Sequence, residues 1–148
     1  MQGNMDKVTN SATVPLAARL LGFAGLIPFV GLAGLALFGS LWALSALISY
    51  ALAILAFMGG IHWGLAMAEG ESSLARLGSS VVWPLIGWFA FFVGHPFNLL
   101  LLAAAFAALL AYDLREVRLK EAPSWYPALR WPLTGVVVVC LVLGMFAS

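Results

Sequence analysis

Residues 42–68 read WALSALISYALAILAFMGGIHWGLAMA, a stretch without a single Asp, Glu, Lys or Arg. Its length is what a helix needs to cross the ~30 Å hydrocarbon core of a bilayer, and it is too long for a buried strand. Four more apolar segments surround it, at about Leu16–Phe38, Leu77–Gly94, Phe97–Tyr112 and Trp131–Ala147. Only one formal charge, Arg19, falls inside them, near an end. Ten-residue alternation of the β-barrel kind is missing, so the spans are expected to be helices. Composition agrees. Of 148 residues 64% are hydrophobic and 9% charged, where an ordinary soluble domain carries about a quarter charged residues. Five spans of ~20 residues account for most of the apolar content. A soluble enzyme, a nucleic-acid partner, a disordered chain and a disulfide scaffold are excluded.

The expected fold is therefore all-α, an integral membrane bundle of five helices over residues 15–148, preceded by a polar tail at 1–14. Pro15 suits a first helical turn. With five alternating spans, all seven Lys and Arg (Lys7, Arg19, Arg76, Arg115, Arg118, Lys120, Arg130) fall on one side. Cation bias sets orientation, so the N-terminus is expected inside and the C-terminus outside, in a bacterial inner membrane. A fluorescent reporter at Ser148 should then report the periplasm and one near Glu121 the cytoplasm; the opposite pattern rejects the span count or its orientation. Residues 113–121 are expected to carry the fourth helix beyond the bilayer, with Glu116 and Lys120 in the favourable i,i+4 order and Pro123 ending it. The aromatics and cation of Trp125–Trp131 have the composition of an interfacial belt.

Within the second span, Ala56, Gly60, Gly64 and Ala68 recur every four residues. Such a small-residue stripe lets a neighbouring helix approach closely, so Gly60→Leu or Gly64→Leu is expected to disturb packing. His62 is rotated about 200° from that stripe. Ionisable groups in spans face protein or water, so both faces of this span are expected to contact protein. The partner would be the rest of the bundle, a second copy or a larger membrane complex. His62 lies ~9 Å inside the span's inner end and should have a polar partner, with Asp113 foremost. Arg19, Arg130 and Thr134 could join one polar cluster at that face. Tyr50 places a hydroxyl in the outer half of the span, and Trp63 flanks His62. His95, in the outer turn, lies too far from His62 to share a metal. One cysteine, Cys140, permits no intrachain disulfide. No metal constellation and no nucleophile with a partnered base can be seen, and no cofactor is implied.

The combined pattern comprises Gly25-Leu26-Ile27-Pro28-Phe29, Ser49-Tyr50, Phe57-Met58-Gly59-Gly60-Ile61-His62-Trp63-Gly64, Trp83-Pro84, Trp88, Trp125-Tyr126 and Leu129-Arg130 with Leu133-Thr134. It resembles the transmembrane-protein-69-like family of bacteria and mitochondria over nearly the whole chain. That resemblance implies a small polytopic inner-membrane protein with a domain of unknown function, and it carries over no catalytic residue. Trp125-Tyr126-x-x-Leu129-Arg130-x-Pro132 also looks like a motif of the tryptophan-rich sensory (translocator) proteins, five-helix binders of porphyrins and sterols. There the motif follows the first span, whereas here it precedes the fifth, and the likeness reads as convergent interfacial chemistry. The functional expectation is a non-enzymatic accessory or small hydrophobic-ligand-binding protein in contact with the lipid bilayer. A transporter or channel subunit acting as an oligomer is the alternative. A membrane enzyme or redox subunit acting on a quinone or haem precursor is the third.

Overall fold

A computed structural model describes residues 13–118 and 124–147. The tail at 1–14, save its last two residues, the Glu116–Lys120 pair and Pro123 lie outside the described side chains. The elements are α1 (Leu16–Ala24), α2 (Leu26–Leu37), α3 (Leu41–Ala68), α4 (Leu74–Phe89) with a 3-10 turn at Ala90–Phe92, α5 (Phe97–Arg118) and α6 (Tyr126–Gly144). They make five helical segments long and apolar enough to cross a membrane, α1 and α2 together forming the first.

Local chemistry explains the boundaries. Pro28 has no N–H to give to the carbonyl four residues back, and the first span breaks between α1 and α2 at Gly25. Tyr50 of α3 donates its hydroxyl to the Gly25 carbonyl at 2.9 Å, and its ring meets Phe29 edge-on with centroids 5.0 Å apart. Both hairpin ends at α2 and α3 close with glycine in the left-handed region, Gly39 at φ 86° and Gly70 at φ 70°. In each, the next amide reaches back to the last turn: Ser40 to Leu35 and Glu71 to Ala66. This is the Schellman arrangement that satisfies orphan carbonyls. Ser40 and Ser73 then cap α3 and α4 through their hydroxyls. In the α3–α4 loop the Ser73 amide donates to the Glu71 carboxylate at 2.9 Å and holds that carboxyl below its ordinary value.

Two of the five spans begin earlier than hydropathy places them. Helix α4 starts at Leu74 rather than near Leu77, because the Ser73 cap recruits the polar turn that follows. Helix α6 starts at Tyr126 rather than Trp131. The belt-like stretch Trp125–Trp131 thus opens the helix, with Pro127 in the position where a missing N–H costs nothing.

Packing corrects the reading of the small-residue stripe. Ala56, Gly60, Gly64 and Ala68 are all exposed in the chain, and a Cβ added at Gly60 or Gly64 would meet open space. The close approach is made one residue earlier. A Cβ on Gly59 would collide with the Ser80 carbonyl oxygen of α4 and lie 3.0 Å from Pro84 Cδ. Pro84 is the reason. It has no N–H, so the Ser80 carbonyl loses its helical donor and presses on the bare Gly59 backbone instead. Gly87 of α4 receives Leu52 of α3 in the same way, with 2.6 Å to Leu52 Cδ1 from an added Cβ. The enclosed helix is α5, with 50% of its span buried against 33% for α3. Among the described residues, helix α3 therefore meets the rest of the chain on one face, which carries Leu47, Ala51, Leu55, Gly59, His62 and Ala66.

Candidate functional site

Three helices bring charged groups together inside the bundle, at the end where α3 and α5 finish and α6 begins. Asp113 lies in the α5 continuation beyond the apolar run and is 1% exposed. The early start of α6 places Arg130 on its second turn, 6% exposed. Arg130 Nε donates to Asp113 Oδ2 at 2.6 Å. His62 comes from α3, and its Nε2 sits 2.8 Å from Asp113 Oδ1. The ring N–H points off that line, so this is a close electrostatic contact rather than an in-line hydrogen bond, and Oδ1 and both ring nitrogens have no hydrogen-bond partner among the described residues. One carboxylate thus holds two side chains from two other helices.

The polar surroundings reach further than the ion pair. Tyr112 meets the His62 ring edge-on at 4.9 Å between centroids. Its hydroxyl shares a 2.9 Å hydrogen bond with Ser79 of α4 and accepts from Arg76 Nη1 at 3.4 Å. Arg76 reaches outward to Glu69 at 3.7 Å. Four more buried polar atoms have no hydrogen-bond partner among the described residues: Trp83 Nε1, Tyr126 OH, Arg130 Nη2 and Thr134 Oγ1. Buried polar atoms are nearly always satisfied, by protein or by ordered water. Open donors of this kind on and near the ion pair fit a place where water or a polar ligand atom completes the set.

Beside this cluster lies a cavity of about 140 Å³. It lies between the first span, α3, α5 and α6, and Gly22 and Gly25 are among its lining residues. Its walls are apolar, among them Leu26, Phe29, Ile54, Met58, Phe106 and Val137. Arg130 and Thr134 are the polar residues of its lining. Thr134 to Val137 is one helical turn, so the cavity runs from the charged cluster toward the middle of the span.

Of the residues singled out in the sequence, His62, Asp113 and Arg130 are brought together, and Thr134 joins them at the cavity. Arg19 does not, since it is exposed on α1; α1 turns that face away from the bundle. Trp63 is 40% exposed and points outward, as its one-residue offset from His62 requires. Tyr50 stands apart from the charges and supports the break at Gly25. Tyr112, expected beside Asp113 as a possible partner of His62, does meet its ring; the sequence reading gave Ser79, Trp83, Arg76 and Tyr126 no part in the site. Of these, Ser79 and Trp83 follow Arg76 at three- and four-residue steps, a periodicity that places them near one face of α4.

A family model described as protein of unknown function (DUF3429) matches residues 14–146. Among curated proteins, the chain is 35% identical over 142 residues to transmembrane protein 69 of Xenopus tropicalis, an alignment covering 90% of this chain and 55% of the relative. The chain thus spans about half the length of that relative. No solved structure matches.

Proposed function

Since the chain belongs to the DUF3429 family, whose description gives no activity, we propose from the site alone that this multi-pass membrane protein binds a small hydrophobic molecule within the bilayer, as an accessory rather than an enzyme. The observation that carries the reading is the apolar cavity that ends on two buried polar residues, Arg130 and Thr134. Ligand sites have this composition: mostly apolar walls, with a few placed polar groups that fix orientation. The volume, about 140 Å³, is close to the ~150 Å³ of an engineered apolar cavity that takes up benzene. A ring or a short branched chain fits.

Filling the cavity tests this. Val137 is buried and lines it, and Val137→Phe would place a ring where the ligand sits. In detergent, ethylbenzene should raise the melting temperature of the wild type, because binding to the folded state alone stabilises it by ~2.7 kcal/mol at a hundredfold excess over Kd. The V137F variant should fold and show no such shift. Equal shifts in both proteins would reject the cavity as the binding site.

The reading also places the protein in a bacterial inner membrane with the cluster-bearing end inside. All seven Lys and Arg of the sequence support that orientation, and the terminal and loop reporters described above test it. The exposed stripe of α3 is open to lipid or to another chain.

A further inference from the structure

The polar end of the cavity selects the ligand's head group, an inference that rests on the binding reading above. Among the described residues, Arg130 is the only cation lining the cavity, and its charge is already balanced by Asp113 through the 2.6 Å contact. What is left open is hydrogen-bonding capacity. Arg130 Nη2 and Thr134 Oγ1 are buried and have no hydrogen-bond partner among the described residues. A guanidinium can only donate, and a hydroxyl can donate as well as accept. The cavity therefore offers two donors and no unspent positive charge.

An acceptor oxygen without charge satisfies both donors. A carboxylate head would bring a second anion beside Asp113 into a region walled by Leu, Ile, Met and Phe, where an uncompensated charge is strongly disfavoured. An ammonium head would meet the guanidinium and two open donors. We infer that the ligand is an uncharged molecule of about one ring's volume that bears a carbonyl oxygen, of the ketone or quinone type. In this pose the oxygen accepts from Arg130 and Thr134, and the hydrocarbon part extends past Val137 toward Phe29.

Three probes of nearly one shape separate the possibilities: acetophenone with a neutral carbonyl, ethylbenzene with none, and benzoate with a carboxylate. Each is titrated at pH 8 into the purified full chain in detergent, as wild type, Thr134→Val and Thr134→Ser. Ratios between proteins cancel the probe's partition into detergent. Acetophenone should bind T134V roughly tenfold more weakly than wild type, the worth of one buried hydrogen bond, and T134S within about threefold of wild type on the same scale. Ethylbenzene should bind all three within about twofold, since no hydrogen bond is lost. Benzoate should bind wild type more weakly than acetophenone, because its charge has no free counter-charge in the cavity. Should T134V fail to fold, T134S and Thr134→Ala supply the same comparison. If acetophenone and ethylbenzene respond alike to loss of the hydroxyl, the head-group inference is overturned while the cavity still binds, as it would with a lipid tail. If benzoate is the tightest probe at pH 8, the charge argument is overturned. If no probe binds the wild type, the binding reading itself fails and the inference with it.

Discussion

Asp113→Ala should cost ~3–5 kcal/mol of stability, the largest loss expected of any single side-chain change in the chain. The cost follows from what is left behind. Arg130 is 6% exposed and takes its only ion-pair partner among the described residues from Asp113 Oδ2. Removing the carboxylate leaves a buried guanidinium uncompensated, and breaking such a pair from one side typically costs that much. Removing both charges is a different experiment. A buried pair replaced by apolar groups of similar volume is often neutral or better, so Asp113→Leu with Arg130→Met should recover most of the stability. Thermal unfolding in detergent of the two proteins reads this directly. If the double variant is no more stable than Asp113→Ala, the desolvated ion pair is not what makes Asp113 important.

The second large effect separates two neighbouring glycines. Gly59→Ala should destabilise by ~1–3 kcal/mol, the usual range for overpacking. The new methyl would meet the Ser80 carbonyl, a backbone atom that cannot swing aside. Gly60→Ala, one position along, adds a methyl to open space. It should be neutral or gain up to ~1 kcal/mol, because alanine forms helix more readily than glycine. Even Gly60→Leu should be tolerated by the isolated chain, the reverse of what the four-residue stripe suggested. The same melting assay applies, and a variant pair with Gly60→Ala as the worse of the two contradicts the α3–α4 packing described here.

This reversal shows where the sequence is legible and where it is not. Length and hydropathy were enough for five helical spans, because a bilayer imposes both on any helix that crosses it. The pairing of His62 with Asp113 was also readable. A polar ring ~9 Å deep must find a partner, and Asp113 directly follows the fourth span at that end. His62 could have settled the stripe as well. It has to face protein, and stepping back from it by three and seven residues reaches Gly59 and Leu55, stepping forward by four reaches Ala66, all on the buried face. Gly60 and Gly64 lie off that face, so they were attractive by spacing but wrong by register. The start of α6 was hidden for another reason. Trp125–Trp131 has the composition of a membrane interface, and that composition outweighed the start signal of Pro127. The cavity was beyond sequence altogether. It is bounded by residues of the first span, α3, α5 and α6 that lie far apart in the chain, and space between helices has no residue of its own.

The central claim is that a small hydrophobic molecule occupies this cavity with its polar end at Arg130 and Thr134. Native mass spectrometry of the gently purified protein, wild type beside Val137→Phe, measures it most directly. The wild type should carry one additional small, uncharged, hydrophobic molecule per chain, and V137F, equally folded, should not. If V137F carries the same molecule at the same occupancy, that molecule is bound elsewhere and the account is contradicted.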